Sequence, residues 1–126
     1  MSLVAEINGQ VVGYIMFSDL NIITETGTVA ALALAPMAVL PEFQKQGIGS
    51  VLVRRGMEIC RERGHRIVIV LGHPDFYPRF GFSAKFAEHV QSPYGGGTTH
   101  MAAELVSGAL DGVAGKLVYS PPFNDL

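Results

Sequence analysis

The stretch that most constrains the fold runs from residue 29 to residue 71. Val29 to Val39 is apolar throughout, the pattern of a central strand covered on both faces. Gly47 to Arg63 then reads as a helix, with Ile48, Val51, Leu52 and Ile59 on one face and Gly64 as its stop. Ile67 to Leu71 is a short buried strand. Strand, helix and strand in that order predict a parallel βαβ unit of right-handed connection. Pro36 removes one ladder donor inside the first strand, so the strand is expected to bulge or splay there.

Around this unit the pattern is antiparallel. Val4 to Ile7 and Val11 to Phe17 flank Asn8-Gly9, the favoured pair for a tight hairpin turn because both positions take positive φ. Asp19 to Thr28 reads as polar and turn-rich. Gly72 to Phe82 is compact and aromatic. The remainder holds two or three strand-like pieces, with Pro93 to Thr99 as a glycine-rich hairpin loop. The expected class is α/β (α+β), a mixed and mostly antiparallel sheet around the central βαβ unit.

At 126 residues, with 48% hydrophobic and 16% charged, the chain fits one compact domain with a core of its own. A net charge of -2 argues against a protein built to grip nucleic-acid phosphates. The single cysteine, Cys60, cannot form an internal disulfide. The apolar stretches fall short of the roughly 20 residues of a membrane span, and no signal peptide opens the chain. A soluble cytoplasmic protein, bound neither to nucleic acid nor to a membrane, is expected.

The chemistry concentrates after the apolar strand, in Val39-Leu40-Pro41-Glu42-Phe43-Gln44-Lys45-Gln46-Gly47-Ile48-Gly49-Ser50. Backbone N–H groups at a helix start lack intrahelical partners and carry the positive end of the dipole. Gly47 and Gly49 let a bulky anion approach that backbone closely. A P-loop is excluded, because no Gly-Lys-Ser or Gly-Lys-Thr occurs. A dinucleotide fingerprint fails too, since its third glycine is missing. The alternative is that the two glycines only shape a strand-to-helix turn.

The segment resembles the Gln/Arg-x-x-Gly-x-Gly/Ala motif of the GNAT family of N-acetyltransferases, with Gln44, Gly47 and Gly49 in register. A second match follows. Tyr77 stands four residues before Gly81-Phe82, as a GNAT tyrosine does before the Gly-Phe pair that ends the helix after the fifth strand. The wording of Leu71 to Phe82, and of 101–110, is similar to a bacterial subgroup of small GNAT proteins. The likeness spans Leu3 to Phe123 and is most specific over 34–52 and 71–82.

The resemblance implies a GNAT-like fold with a splayed strand pair, and a single domain over residues 1–126 that binds acetyl-CoA or another acyl-CoA without metal. Gln44, Lys45, Gln46, Gly47, Ile48, Gly49 and Ser50 would hold the pyrophosphate, and the backbone of Met37, Ala38 and Val39 the pantetheine arm. Backbone N–H groups of that strand would polarise the thioester carbonyl. Tyr77 would protonate the departing thiolate as general acid; otherwise it is a packed aromatic with its hydroxyl on a backbone carbonyl. The acceptor would be a small-molecule or peptide amine, attacking directly in a ternary complex. The alternative function is a CoA-binding regulatory module of the same fold that transfers nothing.

A GNAT domain normally opens with a strand and one or two helices that wall the acceptor site, and this chain starts at the hairpin. It is expected to be N-terminally shortened, by a shortened gene or a shortened expressed chain, or to have the gap covered by a partner subunit. An uncovered apolar face would favour a homodimer. For the general base the candidates are His73, Glu25, Asp75 and Glu104, and His73 leads because it follows the buried strand at its C-terminal end.

Three other groups have plainer readings. Cys60 is a packed thiol. His65, His73, His89 and His100 show no metal spacing. Arg54, Arg55, Arg61, Arg63 and Arg66 complement the helix dipole, with contact to the CoA 3′-phosphate as the alternative.

Overall fold

The computed structural model describes residues 1–94 and 97–119. Strand β1 (Ser2–Ile7) turns into β2 (Gln10–Ile23) through Asn8 and Gly9, both at positive φ (52° and 80°), as the tight turn requires. Strand β2 is longer than expected and runs through part of the stretch read as turn-rich. Leu20 and Ile22 are buried in it while Asn21 and Ile23 face out. Local polarity suggested a loop, but the alternation is that of a strand with one buried face.

Strand β3 (Thr28–Val39) pairs antiparallel with β2 along its whole length. The register shifts between Ile15↔Met37 and Phe17↔Leu34, so β3 carries one extra residue at Ala35-Pro36. That is the bulge expected at Pro36, and the Ala35–Pro36 bond is cis. Only Ala31 to Leu34 is buried on both faces. Past the bulge, burial alternates.

Helix α1 (Ile48–Glu62) and strand β4 (Ile67–Leu71) complete the βαβ unit. The buried face of α1 is Leu52, Val53, Gly56, Met57 and Cys60, whereas Val51 is 64% exposed. The expected stripe through Val51 is therefore rotated. Gly56 explains it: a Cβ there would stand 2.5 Å from the Phe17 ring, so the helix docks on β2 through its glycine.

Strands β5 (Val90–Gln91), β6 (His100–Glu104) and β7 (Gly115–Tyr119) give the sheet order β5-β7-β2-β3-β4-β6, with β1 on β2 as well. Pro93 to Thr99 does not join a hairpin: β5 pairs with β7 and β6 with β4, at opposite ends of that order. Residues 95 and 96 of that loop lie outside the described residues. The sheet curls until its ends meet, where buried His100 donates Nε2–H to the Val90 carbonyl at 2.7 Å. Two cores result. One lies between the sheet and α1, built on Phe17, Leu52, Met57, Tyr77 and Phe82; the other fills the opposite face, built on Leu20, Ile22, Ile69 and Tyr119.

Candidate functional site: a gap between parallel strands facing a helix start

Strands β3 and β4 are parallel and pair only at Leu32↔Val68 and Ala33↔Ile69. Beyond Ala33, β3 continues along β2 while β4 pairs on with β6, so the two strands part. Parallel strands bring both following loops to one end of the sheet, where open α/β folds place ligands. Here those loops are 40–47 and 72–82, the two segments singled out by sequence.

The edge of β3 facing the gap follows from one bond. Leu40 N–H donates to the Val12 carbonyl at 2.8 Å, so the amides of Leu40 and Ala38 face β2. Backbone direction alternates along a strand, so the amide and carbonyl groups of Met37 and Val39 face away from β2, toward the gap. The expected trio thus divides, with Ala38 committed to the sheet. The Val39 carbonyl accepts the Gln44 side-chain amide at 2.9 Å, and Gln46 donates to the Glu42 carbonyl at 3.3 Å. Both glutamines brace the loop.

The loop's own backbone is left free. Lys45 and Gly47 sit at φ 64° and 84°, and Gly47 is the N-cap of α1 with no side-chain cap. The first bond back to it comes from Val51 N–H at 3.1 Å. Among the described residues no acceptor meets the amides of Lys45, Gln46, Gly47, Ile48, Gly49 or Ser50. Unpaired amides at a helix N-terminus form an anion site.

Of these residues all but Gln46 line a cavity of about 370 Å³, together with Gln44, Val39, Phe43, Phe76 and Arg79. No carboxylate lines it, while Lys45 and Arg79 both do. The sequence reading missed Phe43, Phe76 and Arg79. The signal for the last two was the shared end of the parallel strands.

Tyr77 opens a single 3-10 turn (Tyr77–Phe80), not an α-helix, and Gly81 ends it. Its ring is buried against Phe76 and Phe82, with centroids 5.0 and 5.7 Å apart. Burial pushes the phenol's pKa up. The hydroxyl hydrogen-bonds to no described residue, so the carbonyl-anchored alternative is absent. Nor is it among the fully buried unpaired atoms, which leaves it open to a ligand.

The base candidates separate. His73 is exposed at the gap's end of the sheet; its carbonyl accepts the amides of Phe76 and Tyr77 at 3.2 and 3.3 Å, and its ring bonds to no described residue. Asp75 is exposed on the same loop. Glu25 lies in the turn that precedes β3, at the opposite end of that strand from the loop at 40–47. Glu104 caps the amides of Gly108 and Leu110 at 3.2 and 2.8 Å. Neither of these two is placed for proton transfer at the gap. Cys60 is buried and its thiol pushed up by that burial, against the opposing charges of the N-terminus and Arg63. Arg61 donates to the Leu105 carbonyl at 2.8 Å, and Arg55 pairs with Glu58 at 3.3 Å. Among the described residues no group of acidic, histidine or cysteine side chains could hold a metal ion, and no helix is long and apolar enough to cross a membrane.

The family model of the acetyltransferase (GNAT) domain matches residues 2–84, the span that holds both loops. The chain belongs to the GNAT acetyltransferase family. Among GNAT relatives, it is 43% identical over 82 residues to YjhQ of Escherichia coli, an uncharacterized N-acetyltransferase, covering 65% of this chain and 45% of that one. It is 32% identical over 117 residues to YhbS of the same species, also an uncharacterized N-acetyltransferase, covering 92% and 69%. The chain thus spans about half to two thirds of the length of these relatives.

The crystal structure of the GNAT protein YhbS with CoA superposes with a TM-score of 0.87 at 32% identity, over 98% of this chain and 68% of that one. A GNAT family acetyltransferase from Brucella melitensis with acetyl-CoA gives 0.75 at 32%, over 97% and 67%. The mixed, curled sheet is the GNAT fold.

Proposed function

We propose that residues 1–126 form the acyl-CoA domain of an N-acetyltransferase that moves an acetyl group from acetyl-CoA to a small-molecule or peptide amine. The observation that carries this is the run of unpaired amides from Lys45 to Ser50, set at the end of β3 beside the gap. A pyrophosphate offers the oxygens such amides need. The pantetheine arm would lie along the gap-facing groups of Met37 and Val39.

In the reaction the amine nitrogen attacks the thioester carbonyl carbon. Strand amides stabilise the oxyanion, the C–S bond breaks as the thiolate takes the Tyr77 proton, and Tyr77 regains a proton from solvent before the next turnover. The amine's proton leaves to solvent through His73 or a water it orders. Burial raises the pKa of the Tyr77 phenol, so it is a donor to the thiolate only when held beside the developing anion. The names of the relatives favour this enzyme reading over a non-transferring CoA-binding module. A cytoplasmic setting fits the lone cysteine, and a homodimer fits the exposed Val4, Tyr14 and Met16 on the hairpin.

The test is calorimetric titration with acetyl-CoA, followed by free-thiol release across a panel of amines. Binding with release identifies the enzyme. Binding with silence across every amine class favours the module, and absence of binding removes the acyl-CoA reading.

A further inference from the structure

We propose that His100 is a positioning residue for the reaction: by fixing the start of β6 it fixes the segment that carries the Tyr77 hydroxyl. The proposal rests on the reading of Tyr77 as the acid and adds a residue that acts only through it.

Residues 72–83 are fastened to β6 at both ends. At one end the Gly72 N–H donates to the Thr99 carbonyl at 3.0 Å. At the other, Ser83 and Ala102 exchange both backbone bonds, at 2.9 and 3.0 Å. Between these anchors the chain makes the turn Tyr77–Phe80, and Tyr77, Phe82 and Met101 of β6 pack in one core. The Tyr77 ring fills the space that a Cβ on Gly72 would need, so a shift of Gly72 moves the ring. His100 stands between the anchors, next to Thr99 and two residues before Ala102.

What holds His100 is a bond across the closure of the sheet. The residue is 7% exposed, and its Nε2–H reaches the Val90 carbonyl at 2.7 Å. A carbonyl only accepts, so the neutral ring carries its proton on Nε2 and a bare lone pair on Nδ1. That Nδ1 is buried and finds no partner among the described residues. An unpaired buried polar atom lowers stability, and an apolar side chain would fill the place without one. What the imidazole adds is the Nε2 bond. His100 pairs with Leu71 at the gap end of β4, so the bond fastens β6 where the Tyr77 segment begins. Beyond the other end of β6 the Leu105 carbonyl accepts Arg61 at 2.8 Å, and the Leu105 N–H donates to the Arg66 carbonyl at 2.8 Å. Loss of His100 therefore frees the Tyr77 end of the strand alone.

The experiment labels the chain with fluorotyrosine. The four tyrosines are Tyr14, Tyr77, Tyr94 and Tyr119, and Tyr77→Phe identifies the Tyr77 signal. Wild type is compared with His100→Leu, which removes the donor, and His100→Gln, whose amide can still reach Val90. Arg61→Gln is the control at the other end of β6. Acetyl-CoA is titrated by fluorine NMR and calorimetry, and thiol release is measured with the amine that responds best in the panel. If His100→Leu does not fold, His100→Asn, whose amide stops short of the Val90 carbonyl, takes its place.

Acetyl-CoA should shift the wild-type Tyr77 signal. His100→Leu should move that signal in the free chain and weaken its response, with acetyl-CoA affinity unchanged. Its turnover should fall roughly 10- to 100-fold, as a misplacement of about 1 Å does, and should fall little further once Tyr77→Phe is present. His100→Gln should restore the signal and most of the turnover, and Arg61→Gln should alter neither.

An unmoved Tyr77 signal in His100→Leu overturns the proposal, and this arm decides even when every amine is silent. A full loss of turnover in the Tyr77→Phe background also overturns it, because His100 would then act on the fold at large. So does an equal displacement of the signal by Arg61→Gln. Wild type that binds acetyl-CoA with no response at Tyr77, and keeps its turnover in Tyr77→Phe, would remove the acid reading itself, a distinct result.

Discussion

The Tyr77 ring occupies the space in which a side chain on Gly72 would stand. Gly72 is not in the left-handed region, and its N–H donates to the Thr99 carbonyl at 3.0 Å. Its backbone would accept alanine; the neighbouring ring would not. The glycine therefore fixes where the Tyr77 hydroxyl stands. Tyr77→Phe is expected to cut turnover far more than acetyl-CoA affinity. Gly72→Ala, by displacing the ring, should cut turnover roughly 10- to 100-fold, as a misplacement of about 1 Å does. In a Tyr77→Phe background it should cost little more. A full additional loss there would show that Gly72 acts on the fold and not through the hydroxyl.

Gly47 and Gly49 make opposite demands although they share one motif. Gly47 has a φ of 84° with open space around it, while a Cβ on Gly49 would meet nothing nearer than 3.8 Å. Gly47→Ala should destabilise by about 1 kcal/mol through its left-handed backbone. Gly49→Ala should be neutral or stabilising by up to about 1 kcal/mol through helix propensity. Urea unfolding of the two variants decides it. A larger loss from Gly49→Ala would contradict the loop geometry.

At Gly56 two effects compete. Alanine gains about 0.8–1.0 kcal/mol of helix propensity, but its Cβ would stand 2.5 Å from the Phe17 ring. Overpacking of a filled core costs about 1–3 kcal/mol, so the clash should prevail and Gly56→Ala should lose stability. Phe17→Leu on the same chain should cost less than it does alone, because it opens room for the methyl. Simple additivity in a double-mutant cycle would sink this account.

Burial raises the pKa of the Tyr77 phenol, of Cys60 and of Tyr119; for Tyr119, Ser92 opposes the rise and Tyr94 adds to it. Each group is held neutral longer in the folded chain than in the unfolded one. Their contribution is complete below the unfolded values, near 8.5 for the thiol and 10 for the phenols. It is lost as pH rises through the folded values, because the unfolded chain then releases protons first. Denaturation midpoints should fall from about pH 9 upward. A midpoint that climbs over that window would reverse the sign.

The strongest sequence signals were local. Asn8-Gly9 dictated a turn because two adjacent residues accept positive φ, and Pro36 dictated a bulge because a ring replaces an amide proton. Gln44, Gly47 and Gly49 marked the loop that opens α1, and with it the proposed anion site, because backbone shape at a helix start is set within a few residues. The tyrosine and its Gly-Phe partner were legible for the same reason. Other features arise from contacts between distant segments, and there the local pattern misled. Strand β2 runs on past Asp19 because Leu20 and Ile22 enter the second core beside Leu117 and Tyr119.

By itself, then, the sequence determined the order of elements, the parallel pair, the loop and the aromatic segment, since each depends on neighbours in the chain. Only the tertiary structure decided which groups meet. It turned α1 onto Gly56 because Phe17 needed that space, and it parted β3 from β4 after Ala33. It left Met37 and Val39 facing the gap, set Arg79 beside the Lys45–Ser50 amides, and withdrew Glu25 and Glu104 from the list of bases. Residues 30 or more apart approach only when the sheet closes, and no short-range pattern records that distance.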